Sequence, residues 1–160
     1  MLKSATSQFI ANDALYLAML ISDNIAFDSV YTALEIFARA DLLLYRNQVD
    51  SAVASLDIID QEFPGHALAD DVMFKRAQIA MKSRDFEGAA SLYHQVWGTY
   101  TFDLLADDAL YRLAILTEEK LGKPEDAMEY YQEILLSYPG SLFTVDARKR
   151  FRELRGDLLN

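Results

Sequence analysis

Four sets of residues recur along this chain at an interval of 37 or 38 positions, and that interval limits the fold more than any other feature. Ala40, Ala77 and Ala114 are spaced 37 and 37, and so are Phe37, Phe74 and Tyr111. Ala52, Ala89 and Ala127 are spaced 37 and 38, as are Phe63, Tyr100 and Tyr138. A period of this size marks a repeat architecture, in which each unit is one supersecondary element that cannot bury its apolar face alone. Three segments align: Ile36 to Gly65, Met73 to Tyr100 and Leu110 to Gly140. The one-residue drift falls at Gly122-Lys123-Pro124, in a turn, where an insertion costs little.

The recurring residue types point to helix pairs. A small residue in the middle of a first helix (Ala40, Ala77, Ala114) lets a second helix approach, and a small residue early in that helix (Ala52, Ala89, Ala127) receives it. Large residues then close the pair: Leu56, Tyr93 and Tyr131, followed by Ile59, Val96 and Ile134. Phe63-Pro64-Gly65 and Tyr138-Pro139-Gly140 end the second helices, since proline cannot continue a helix and glycine accepts a left-handed turn. Only three prolines and six glycines are present in the 160 residues, too few for the many turns of a strand-rich fold. Helices are expected near 8–22, 29–46, 49–62, 67–83, 86–98, 105–121, 124–137 and 142–154. Asp70-Asp71, Asp107-Asp108 and Glu125-Asp126 open three of them, where carboxylates complement the helix dipole.

This order of small, small, large and terminal proline resembles the tetratricopeptide repeat. The resemblance implies an all-α fold: antiparallel helix hairpins stacked into a right-handed α-solenoid of about eight helices. It implies one domain over 1–160, with repeats at 28–65, 66–103 and 104–141, a capping helix at 142–155 and a degenerate helix at 8–22. That helix carries Ala11 to Tyr16, which mirrors Ala106 to Tyr111. The chain departs from the family pattern in its longer period, in Thr101 where proline is expected, and in lacking the early tryptophan of the first helix. The linkers FPGHALADDVMFKRA and YPGSLFTVDARKRF are similar to those of bacterial cell-envelope members. The resemblance thus implies the periplasm or envelope, with the cytoplasm as the alternative.

Charge narrows the partners. The net charge is −10, which phosphate backbones repel, so nucleic acid is not expected. From Arg148 onward five basic residues face two acidic ones, and this basic final helix is expected to pair with its acidic neighbours. With no cysteine, disulfides, thiolate metal sites and cysteine nucleophiles are excluded. The longest apolar run, Ala14 to Ile21, is too short to span a membrane. Helix 8–22 is apolar almost all round, unlike the polar-faced end of a stable solenoid. Either the chain is the C-terminal part of a longer array, or this helix buries itself in a homodimer.

Chemistry-bearing motifs are missing. There is no phosphate loop, paired-histidine helix or nucleophile elbow, and His66 and His94 stand alone. No catalytic residue, metal ligand or cofactor is assigned. What remains is a surface. In the family the first helix of each pair lines the concave face, which places Phe37, Asp41, Phe74, Lys75, Gln78, Tyr111, Arg112 and Ile115 there. Such an aromatic stripe with polar hooks suits a peptide or protein partner, although the same rings can serve only to pack adjacent helices. Some family members clamp a chaperone's terminal carboxylate; of the corresponding Phe37, Asp41, Lys75, Asp108 and Arg112, only Arg112 fits. The expected function is a non-catalytic protein-interaction scaffold. The alternatives are a helical accessory domain of a larger envelope enzyme and a self-associating module.

Overall fold

The computed structural model describes residues 17–22 and 31–157. Within these, residues 17–22 are helical and seven further helices follow: α1 (Thr32–Tyr45), α2 (Val49–Glu62), α3 (Ala69–Lys82), α4 (Phe86–Thr99), α5 (Ala106–Glu119), α6 (Pro124–Ser137) and α7 (Thr144–Arg155). No strand occurs among the described residues. The fold is all-α and built from consecutive helix hairpins, as the period requires. Of the expected helix 8–22 the part 8–16 lies outside the described residues, as do residues 28–30 at the start of the first repeat.

Helix ends follow local chemistry. The Asp85 side chain accepts a hydrogen bond from the Gly88 N–H at 3.0 Å and caps α4. Pro124 occupies the first turn of α6, where its missing N–H is no loss. The expected start of α3 at residue 67 moves to Ala69 because the chain first makes a tight turn. There Ala69 N–H bonds the His66 carbonyl and Leu68 N–H bonds His66 Nδ1, each at 3.1 Å.

The three aromatic ends are conformational copies. Phe63, Tyr100 and Tyr138 follow α2, α4 and α6 with φ/ψ of −128/54, −114/43 and −125/58. In each case the carbonyl of that aromatic then accepts from the N–H three residues on, at His66, Asp103 and Ser141. The middle repeat makes this turn with Thr101 in place of proline, so the aromatic end and its hydrogen bonds, not the proline, define it. The glycine expectation is corrected in part. Gly65 adopts φ 76, but Gly140, in the corresponding turn after α6, is not among the left-handed residues.

A second periodic feature lies in the turns inside each pair. Asn47, Arg84 and Gly122 are left-handed, with φ of 58, 63 and 65. Each ends a first helix, and the next residue or two bond back to carbonyls of its last turn: Gln48 N–H to Leu43, Asp85 N–H to Ala80, Lys123 N–H to Thr117. This αL closure is the usual exit from a helix.

Packing divides the chain into two compact units, with the boundary at Ala69 and Asp70. In the first unit α1 packs on α2, and Ala40 and Ala52 are fully buried with Leu56 and Ile59 beneath them. In the second unit α4 packs on α5, α5 on α6 and α6 on α7, while Phe74 of α3 meets Tyr93 of α4 edge-on at 5.4 Å. Ala77, Ala114, Ala89 and Ala127 are all fully buried there. Close-packed interiors leave no room for larger side chains at such crossings.

The last helix is bound as its charge suggests. Arg150 of α7 reaches Glu118 and Glu119 of α5 and Asp146 on its own helix, each at 3.0 Å. Tyr131 of α6 donates its hydroxyl to Glu118 at 2.6 Å. Among the described residues no helix is long and apolar enough to cross a membrane.

Candidate functional site

The eight surface residues expected from the sequence lie on α1, α3 and α5, but their environments differ. In the first unit Phe37 is 2% exposed and Asp41 is half-buried. In the second unit Phe74 is 3% exposed and Lys75 7%, whereas Gln78, Tyr111 and Ile115 are half-buried and the Arg112 side chain is 45% exposed. The Phe37 and Phe74 rings therefore pack inward, the role left open for them beside a partner-gripping one. The spacing of first helices placed these positions on one helix face but carried no information on depth.

Arg112 is the group around which a site is built. Its guanidinium carbon lies 5.3 Å from the centre of the Phe74 ring, a cation–π arrangement. Its nitrogens meet both Asp108 carboxylate oxygens, at 2.7 and 3.3 Å, one helical turn back on α5. The Tyr93 phenol of α4 lies beside Arg112 and interacts with its charge. Three helices of the second unit thus hold one guanidinium in a fixed pose with nearly half its surface open. Burial pushes the Asp108 carboxyl up from its usual range, and the Arg112 charge opposes that rise. Burial likewise raises the Tyr93 phenol. Asp108 and Tyr93 were read from the sequence only as a helix start and a core residue. The Asp-to-Arg spacing of four was the available sign of their pairing.

Tyr111 and Ile115 are drawn elsewhere. The Tyr111 ring stacks on Phe143 at 4.3 Å and 13°, and its hydroxyl donates to Asp146 of α7. Burial and this carboxylate push the phenol up to about 12. The same hydrogen bond leads the causes that hold Asp146 below its ordinary value. Ile115 packs against the cluster that α5, α6 and α7 share around Leu110, Tyr131 and Ala147. Tyr111 and Arg112, neighbours in sequence, therefore serve different helices. Among the described residues no group of three or more histidine, aspartate or glutamate side chains is placed to hold a metal ion.

Hairpins that cross at alanines every 37 or 38 residues define a helical-repeat protein. Residues 108–141, from the first turn of α5 to the turn after α6, match a family model described as Tetratricopeptide repeat. Repeats of this family generally mediate protein–protein interaction and are typically non-catalytic. No curated protein matches the chain.

Proposed function

We propose that the chain is a non-catalytic scaffold that holds a peptide or protein through the faces of its first helices. Asp41 beside Phe37 serves in the first unit. Gln78 and Arg112, with the edges of Tyr111 and Ile115, serve in the second. Phe74 and Lys75 act there mainly as buried support. The observation that carries the reading is Arg112: a guanidinium fixed by Phe74, Tyr93 and Asp108 yet open to solvent is preorganised for a polar partner group, and preorganisation lowers the entropy lost on binding.

The test is a cross-linking pull-down from the source cell with the parent chain beside an Arg112→Ala, Gln78→Ala double variant of unchanged helicity. The reading expects one identified protein to be captured by the parent and lost by the variant, and then to bind the purified parent directly. Equal capture by both chains overturns it.

A second reading has its own support. Leu17, Met19 and Ile21 are 48%, 36% and 43% exposed, an apolar surface suited to self-association. A mass that rises with concentration, and stays monomeric in a Leu17→Ser, Ile21→Ser variant, is the expected result. A fixed monomer in the parent chain removes this reading.

A further inference from the structure

A second surface of the second unit has a chemistry of its own. His94 and Trp97 of α4 and Tyr130 of α6 form a corner of three rings. Trp97 meets His94 edge-on at 5.4 Å and 87°, and Tyr130 at 6.2 Å and 76°. His94 is exposed, and Trp97 and Tyr130 are half-buried. Beside the corner runs a shallow groove whose floor includes the buried Leu113 and Thr117 of α5 and whose rim includes Glu87 and Asp126. Burial raises the Tyr130 phenol, and the charges of Asp126 and Glu129 raise it further, which places both carboxylates near that ring.

Aromatic faces attract cations through their quadrupole, and carboxylates attract them through their charge. A lysine or arginine side chain uses both at once. The chain's own Lys123 already does part of this, since its Nζ lies 3.7 Å from Glu87 with the two side chains 50% and 74% exposed. A pair so open to water is held weakly. An incoming cation can take its place with little loss. We propose that this groove is a docking site for a basic segment of a partner protein, whose lysine or arginine side chain lies against the corner of His94, Trp97 and Tyr130 while Glu87 and Asp126 neutralise it. The net charge of −10 favours approach of such a segment. The groove uses none of the residues assigned to the first-helix faces, so the two readings stand or fall separately.

Trp97 is the sole tryptophan in the chain and sits at the corner, so its fluorescence reads the site directly. The full chain is titrated with an end-capped pentalysine peptide, with pentaglutamate as the control. The expected result is a saturable change with pentalysine alone. Tyr130→Leu and Asp126→Asn each weaken the midpoint about threefold or more, the size of one lost cation contact. Lys123→Gln strengthens it by a similar factor, because the competing internal cation is gone. A gain of affinity cannot come from misfolding, which protects the test from that confusion. No saturable response, or midpoints in all three variants equal to the parent's, overturns the proposal and leaves diffuse charge attraction in its place.

Discussion

Arg112 and Tyr111 are adjacent, yet each has a distinct physical task, and each task has a measurable consequence. Arg112 neutralises an Asp108 carboxylate that burial disfavours. In Arg112→Ala that carboxylate keeps its desolvation and loses its partner. The pair is partly open to water, so the expected loss of stability at neutral pH is about 1 kcal/mol, well below that of a fully buried pair. The loss should shrink as pH falls through the raised range of that carboxyl, where it is protonated and no longer needs the cation, and denaturant unfolding of both chains at neutral and at acid pH checks this. Tyr111 behaves oppositely with pH. Its folded phenol is raised to about 12 while an unfolded tyrosine ionises near 10. Its contribution is therefore complete below pH 10 and is lost as pH rises toward 12. Tyr111→Phe should flatten this alkaline decline and cost about 1 kcal/mol at neutral pH through the lost hydrogen bond to Asp146. Unfolding followed between pH 8 and 12 tests both statements.

At the scale of the elements, much was legible because packing repeats with the sequence. Six alanines at two repeating positions are all fully buried, and Tyr93, Tyr131 and Leu56 lie beneath them as their size and spacing implied. Helix starts were less legible, since the turn before α3 depends on His66 accepting a backbone N–H, a local bond with no periodic mark. Side-chain depth was less legible again. Phe37, Phe74 and Tyr111 hold one position in the repeat, yet the first two are buried while the third is half-buried and stacks on Phe143, just before the last helix. The left-handed residue inside each pair also escaped notice, since Asn47, Arg84 and Gly122 share a conformation and no chemistry. Their unlike side chains yield a prediction. At φ 63 a side chain costs about 1 kcal/mol, so Arg84→Gly should raise the melting temperature of the chain. Gly122→Ala, at φ 65, should lower it by a comparable amount. A pair of thermal melts decides the matter, and equal melting temperatures in parent and variants would remove the claim that this turn is strained.

Across the whole molecule, the compact units are built of helix hairpins that bury alanine crossings and leave Asp41, Gln78 and Arg112 of the first helices at least partly accessible. The matched repeat at 108–141 contains Arg112 and Ile115 as well as the groove-lining Asp126 and Tyr130, so one repeat offers two chemically different surfaces. The proposed scaffold holds its partners on the first-helix face. Site-directed photo-cross-linking in the source cell tests it most directly, with the reactive side chain placed at Gln78 on α3 in one chain and at the exposed Gln132 on α6 in another. A discrete cross-linked protein is expected from position 78, absent from position 132 and lost when Arg112→Ala is added. The same adduct from both positions, or from position 132 alone, would contradict it.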